Sequence, residues 1–253
     1  MIEKLHIQFE AMNSLRTIHV YLPPFYHESQ ERYPVIYMYD GHNLFHDENA
    51  TYGYSWHMEE FLDQYDKPFI VVGIECPHEG NQRLEEYCPY DVENSFLGTI
   101  HGYGQLFMDF VVEVVKPYID NHYRTIPFRE CTMIGGSSMG GLMSLYTIIA
   151  YNQYFSKAAC LSSSIGICMD ALTNEMNQHD LNVDTRVYLS WGSEESRNKR
   201  GLAYASMHNL EISHLLNQKH IMTYPYLQVN GRHSEQSWQQ QIPIFMDYLW
   251  KSK

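Results

Sequence analysis

The stretch Cys131–Leu145, C-T-M-I-G-G-S-S-M-G-G-L-M-S-L, constrains this chain more than any other. The short apolar run Cys131–Ile134 meets a cluster of glycines and serines, and a mostly apolar run from Leu142 to Ala150 follows. The pattern reads as strand, sharp turn, buried helix. Inside it lies Gly136-Ser137-Ser138-Met139-Gly140, a G-x-S-x-G pentapeptide. Such a turn holds its central serine at the top of a sheet, with the hydroxyl exposed and the next N–H free. The glycines have a steric reason: a Cβ two residues before or after the serine collides with the backbone that folds back. Chance places the pentapeptide in roughly one chain in ten of this length, and a Gly-rich connection is the plain alternative. The flanking strand and helix are what a nucleophile elbow requires, so the rest of the chain must supply a base, an acid and an oxyanion hole.

Strand and helix patterns alternate along the chain. Alternating polar and apolar residues through Leu5, Ile7 and Phe9, and again from Leu15 to Leu22, predict an antiparallel hairpin turning at Asn13-Ser14. The near-continuous apolar runs 34–39 and 69–74 predict strands buried on both faces. Between them Ser55 is the expected N-cap of a helix over 56–64. Residues 76–104 read as a long irregular loop, of the kind that is usually functional. A helix is predicted over 105–118, followed by the elbow. Further strands are predicted at 157–161, 186–191 and 221–229, with helical stretches from 167 and over 201–217. Pro243 should kink or restart the C-terminal helix. Strands alternating with helices mean βαβ units and a mainly parallel sheet, an α/β fold. The 253 residues and 44% hydrophobic content fit one α/β domain over 1–253.

Composition excludes several classes of partner. The formal charge of −13 argues against nucleic acid or an anionic membrane, both of which need basic patches. No apolar run approaches membrane-spanning length, and the N-terminus shows no signal-peptide core, so a soluble cytoplasmic protein is expected. The five cysteines are odd in number and sit largely in apolar runs, which fits buried thiols rather than a disulfide framework. There is no H-E-x-x-H, C-x-x-C, P-loop or G-x-G-x-x-G, and His42, His46 and His57 lack a matching carboxylate pattern. No metal or cofactor is expected. The partner left by these exclusions is a small molecule, and self-association into a homo-oligomer is left open.

A serine hydroxyl needs a neutral imidazole within hydrogen-bond reach, and the imidazole needs a carboxylate to fix its tautomer. The order nucleophile, acid, histidine, each just after a strand, is present here. Ser138 follows the elbow strand, Glu194 and Glu195 follow R-V-Y-L-S-W, and His233 follows the last strand. Each alone reads as an ordinary turn residue; their order and equivalent strand-end positions point to a triad. For the oxyanion hole, the residue after the nucleophile gives Met139 N–H. The loop Asp40-Gly41-His42-Asn43 after an early central strand offers His42 N–H, with Asn43 as second choice. The tyrosines of the 76–104 loop and Trp56 suit a sugar, phenolic or aryl group at a pocket rim.

Several stretches resemble the esterase branch of the α/β-hydrolases that includes enterochelin-esterase-like proteins, feruloyl and acetylxylan esterase modules and S-formylglutathione hydrolase. They are Y-M-Y-D-G-H-N-L-F (37–45), Y-G-Y-S-W (52–56), R-L-E-E-Y (83–87), V-K-P-Y-I-D-N-H-Y-R-T (115–125), G-G-S-S-M-G-G-L (135–142), G-S-E-E (192–195) and G-R-H-S-E-Q-S-W (231–238). The resemblance implies an α/β-hydrolase fold with an N-terminal antiparallel hairpin, and helices on both faces of the sheet. It implies Glu195 as the acid, three residues after Gly192. Arg83 and Tyr87 match a loop pattern that either touches substrate or braces the loop. Ser138, Glu195 and His233 are thus the candidate catalytic residues, His42 and Met139 the oxyanion donors, and Asn43, Trp56 and Arg83 the candidate substrate contacts. The implied activity is serine-dependent hydrolysis of a small acyl ester, acetyl, feruloyl or similar. A thioesterase, an acyltransferase or a non-catalytic binding protein on the same fold are the alternatives.

Overall fold

The alternating N-terminal residues form the expected hairpin: β1 (Ile2–Phe9) pairs antiparallel with β2 (Ser14–Tyr21). The structure, a computed structural model, describes residues 1–94, 98–196 and 198–251. The chain reverses between the two strands through left-handed Asn13 (φ 45°), a residue type that tolerates that conformation. Then follow β3 (Val35–Tyr39), α1 (Met58–Leu62) and β4 (Ile70–Ile74). Next come α2 (Gln82–Glu86), the small strands β5 (Val92–Asn94) and β6 (Gly98–Ile100), α3 (Gly104–Phe110) and α4 (Lys116–His122). The second half is β7 (Thr132–Ser137), α5 (Met139–Ala150), β8 (Lys157–Leu161), α6 (Met169–Gln178), β9 (Arg186–Gly192) and α7 (Lys199–Gln218). It ends with β10 (Met222–Gln228), α8 (Glu235–Gln239) and α9 (Ile242–Trp250).

The large sheet has eight strands in the order β1-β2-β4-β3-β7-β8-β9-β10. β1 and β2 run antiparallel, β2 joins β4 antiparallel, and every later pairing is parallel. Strand periodicity divides the core into two layers. Val35, Tyr37 and Tyr39 of β3 pack with Leu142, Leu145 and Ile149 of α5 on one face. Ile36 and Met38 pack with Met58 and Leu62 of α1 and Phe245 and Leu249 of α9 on the other. This double burial is why the central strands read as continuous apolar runs. β10 lies at an edge and carries Pro225, whose missing N–H is tolerated there and blunts further strand pairing. This mostly parallel sheet covered by helices on both faces is the α/β-hydrolase fold.

Three details differ from expectation. Ser55 does not cap α1: its hydroxyl accepts the His57 N–H, and the helix starts at Met58, two residues later than expected, after left-handed His57 (φ 48°). The segment 76–104 is not structureless, because it contains α2 and the β5–β6 hairpin; residues 95–97 lie outside the described residues. The helix expected over 105–118 continues to His122 through a π-turn at Val111–Val115. As anticipated, the C-terminal helix restarts at Pro243, in the first turn of α9, where a missing N–H costs nothing.

After β3 the chain builds β4 on one side, then returns to place β7 on the other. The strand order reverses between β3 and β7. Loops leaving the carboxyl ends of these strands diverge there and leave a crevice, the usual position of a site in an open parallel sheet. The loop after β3 carries His42, and the loop after β7 carries Ser138.

Candidate active site

Ser138 sits between β7 and α5 at φ 59°, ψ −120°, a conformation that costs a non-glycine residue about 1–3 kcal/mol. The surroundings hold it there. Its N–H donates to Leu161 O (2.9 Å), and its carbonyl accepts from Leu142 N–H and Ser164 N–H (both 3.1 Å). A Cβ on Gly136 would lie 3.0 Å from the Gly140 carbonyl carbon and oxygen, and one on Gly140 would lie 3.0 Å from Tyr39 Cβ. Helix α5 begins at Met139 rather than Leu142, so Met139 N–H is one of the unpaired donors at its positive end.

His233 and Glu195 arrive from the ends of β10 and β9. His233 Nε2 lies 2.9 Å from Ser138 Oγ, and His233 Nδ1 lies 3.1 Å from Glu195 Oε2. A carboxylate only accepts, so Nδ1 donates to Glu195 and Nε2 is left to accept from the serine hydroxyl. Glu194 does not take part: it is exposed and accepts from Arg232 Nε at 3.0 Å. The sequence had left this pair open until the family resemblance chose between them, and the geometry brings Glu195 to the histidine.

Two further residues extend the chain of hydrogen bonds, and sequence reasoning gave them no role. Ser162 Oγ donates to Glu195 Oε1 (2.6 Å) and accepts from Trp238 Nε1–H (2.7 Å). Glu195 Oε1 also accepts the Gly192 N–H. The edge of the His233 ring meets the Trp238 indole at 5.1 Å between centroids. The available signals were the serine run at the end of β8 and the tryptophan that closes H-S-E-Q-S-W.

The loop after β3 is braced from behind. Arg83 Nε and Nη2 donate to Asp40 Oδ1 and Oδ2, both at 2.7 Å, and the guanidinium lies 5.2 Å from the Tyr87 ring centroid. Tyr87 OH accepts the Asp40 N–H at 3.1 Å. Burial pushes the Asp40 carboxyl up, but the charge and hydrogen bonds of Arg83 outweigh it and hold the group below the usual carboxylate value. Arg83 therefore braces the loop while also lining the cavity. In the turn Gly41–Asn43, the Asn43 N–H is spent on Asp40 O (2.8 Å), which removes the second-choice oxyanion donor. The His42 N–H has no protein acceptor among the described residues.

Asn43 also lines the cavity, but its Oδ1 accepts from Thr51 N–H and its carbonyl from Trp56 N–H, so it knits the 43–56 segment together. Trp56 is not a rim residue. It is 2% exposed and packs 6.0 Å from Trp238 in the core layer beneath the site.

The crevice holds a cavity of about 310 Å³ whose walls include Ser138, His233, His42, Arg83, Glu235 and Trp238. Burial raises the Glu235 carboxyl above its ordinary value, and a hydrogen bond from its own backbone N–H offsets this only in part. The His42 ring is buried, donates to or accepts from Thr51 Oγ1 at 2.9 Å, and meets His78 edge-on at 4.6 Å. Burial holds His42 below the usual imidazole value, which keeps the ring neutral at neutral pH.

An α/β-hydrolase sheet with a serine, a histidine and a carboxylate gathered at its strand ends defines a class of hydrolase-fold proteins. Within it the chain belongs to the Esterase family, described as "Putative esterase", whose model matches residues 10–246. The family carries ester hydrolysis as its class of reaction. The chain is 27% identical over 191 residues to the uncharacterized protein YbbA of Bacillus subtilis (strain 168), covering 74% of this chain and 72% of that one. Its fold is shared with the BES protein from Bacillus cereus, at a TM-score of 0.79 and 18% identity, over 99% of this chain and 95% of that one. An IroE-like serine hydrolase from Shewanella oneidensis gives a TM-score of 0.76 at 19% identity, over 98% of this chain and 79% of that one. No helix among the described residues is long and apolar enough to cross a membrane.

Proposed function

We propose that the protein is a serine carboxylic-ester hydrolase that works through an acyl-enzyme on a small acyl ester. The observation that carries this reading is the hydrogen-bonded chain Glu195–His233–Ser138, ending in the cavity at the β3/β7 crevice. Ser138 Oγ attacks the ester carbonyl carbon while His233 Nε2 takes the hydroxyl proton. The electron pair of the C=O moves to oxygen, and the N–H groups of Met139 and His42 receive that charge. Collapse breaks the bond to the alcohol oxygen, which leaves with the proton from His233. Water then adds to the acyl-Ser138 ester by the same route, releasing the acid and restoring the serine. Glu195 holds the imidazole in the required tautomer and stabilises the imidazolium, and Ser162 and Trp238 hold Glu195.

The cavity supports a small acyl group rather than a long chain: at about 310 Å³ it is at the low end for ligand sites. A panel of aryl acetate, butyrate and octanoate esters, acetylated and feruloylated sugars and a thioester tests the reading. Hydrolysis of the short or feruloyl esters is expected, with Ser138→Ala reducing kcat at least about 10⁴-fold and losing fluorophosphonate labelling. Undiminished hydrolysis by Ser138→Ala would overturn the mechanism. A native protein that neither hydrolyses any ester nor labels at Ser138 would favour a non-catalytic binding role.

A further inference from the structure

We propose that His42, Cys76 and His78 form a binding site for a borderline or soft divalent metal ion, of the Zn²⁺ class, in the wall of the same cavity. The imidazoles and the thiol come from two neighbouring strand ends. His42 is in the turn after β3, and Cys76-Pro77-His78 follows β4, the strand paired with β3. One potential ligand atom from each of the three residues lies within 4.8 Å of those of the other two. A tetrahedral ion with metal–nitrogen and metal–sulfur bonds of ordinary length needs its ligands roughly 3.5 Å apart. The exposed His78 side chain supplies the movement that closes the difference: its relative exposure is 57%, whereas His42 and Cys76 are fixed and buried.

An independent observation points at a ligand. His42 Nδ1 is buried and has no hydrogen-bond partner. Its other nitrogen is held by Thr51 Oγ1, so the ring is already oriented with one lone-pair or N–H position unused. A buried ring nitrogen left without a partner costs about 1–3 kcal/mol, and a metal ion would satisfy it. His78 is exposed rather than buried, and its Nε2 lies 3.6 Å from Glu75 Oε2, within ion-pair reach of a carboxylate that is itself anchored on His19. Outer carboxylate and hydroxyl partners of this kind orient metal-binding imidazoles.

The ligand set selects the ion. Two imidazoles and a thiol suit Zn²⁺, Cu²⁺ or Co²⁺ and not Mg²⁺ or Ca²⁺. The surrounding charges, Asp40 and Glu75 against Arg83, favour a cation. Cys76 must lose its proton to ligate: the Sγ–H bond breaks, the Sγ–metal bond forms, and the proton goes to solvent. Because the thiol must give up its proton, metal affinity should rise with pH. Three protein ligands leave a fourth position open to water or to a polar substrate group. The motif escapes sequence inspection because C-P-H and a histidine 34 positions earlier match no standard ligand spacing.

The proposal does not rest on the esterase reading, and Co²⁺ provides a probe independent of activity. Chelator-treated protein titrated with Co²⁺ should develop a near-ultraviolet thiolate-to-cobalt charge-transfer band saturating at one ion per chain, removed by Zn²⁺ and unaffected by Mg²⁺. Ser138→Ala should give the same band, which separates this site from the hydrolytic one. Cys76→Ser should abolish the band. His78→Ala, at an exposed side chain that leaves the core intact, should weaken Co²⁺ affinity at least about tenfold. Absence of the band in native protein, or its survival at native affinity in both Cys76→Ser and His78→Ala, would overturn the proposal.

Discussion

At the scale of single residues, Ser162 shows how far the candidate site extends beyond the groups that face substrate. Among the described residues its side chain makes no hydrogen bond to Ser138 or His233, yet it bridges Trp238 Nε1 to Glu195 Oε1. Ser162→Ala removes both bonds. Glu195 Oε1 keeps the Gly192 N–H but loses the Ser162 hydroxyl, so the carboxylate is held by one bond fewer, and the buried indole N–H loses its acceptor. Leaving that donor unpaired is expected to cost about 1–3 kcal/mol of stability in chemical denaturation. Because Ser162 does not line the cavity, kcat should fall about tenfold with little change in KM. A change in KM alone would contradict a positioning role. This residue was not legible in the sequence because its partners come from β9 and α8, and only the register of parallel strands brings them together. Ser138 was legible for the opposite reason: everything that shapes its turn, Gly136 through Gly140, is contiguous.

At the scale of elements, the β3 loop is the part whose support can be tested most directly. Asp40 is buried and held as a carboxylate by Arg83 from α2. Its folded-state value lies below the ordinary one, so the pair's contribution is fully present above about pH 4, where the unfolded carboxyl ionises. It is lost as pH falls through the lower folded value. Arg83→Gln strands a buried carboxylate, which should cost about 3–5 kcal/mol near neutrality. The difference from native protein should shrink as the pH is lowered toward about 3, as followed by urea denaturation across that range. A constant difference at all pH values would argue against the charge pair. The same loop depends on a backbone contact with the next strand: a Cβ on Gly41 would lie 2.4 Å from the Gly73 carbonyl carbon and oxygen. Gly41→Ala must therefore displace the turn carrying His42 N–H. We expect ester hydrolysis to drop at least tenfold with circular dichroism essentially unchanged. The central strands were readable because double burial leaves an unmistakable apolar run. Helix starts and the role of Trp56 were not. Left-handed His57 starts α1 without a side-chain cap, and an aromatic beside a loop has the same local pattern whether it points to a rim or to the core.

At the scale of the whole molecule, one sheet separates two sealed apolar layers and collects the candidate chemistry at a single crevice. The two halves of the chain meet along β3–β7, so the site is complete only when both have folded. The cysteines report on that closure, since all five are free thiols spread over both halves of the chain. Cys76, Cys88, Cys160 and Cys168 are buried, whereas Cys131, at the turn entering β7, is only partly covered. Thiol reactivity requires access as well as ionisation. Cys88 tests this distinction. A hydrogen bond from Cys168 lowers its thiol to about 7 despite burial, which would make it the most reactive group if ionisation alone governed. Partial burial raises the Cys131 thiol, which slows it without blocking it. With an aromatic disulfide reagent, native protein should therefore show one accessible thiol, lost in Cys131→Ser, while the other four react only at the rate of opening. In denaturant without reductant all five should react at once. Should Cys88 prove to be the fast thiol, the layer over it opens locally, and the two halves do not move as one unit. If fewer than five react after denaturation, a disulfide is present and the assignment of five free thiols to the folded chain is wrong.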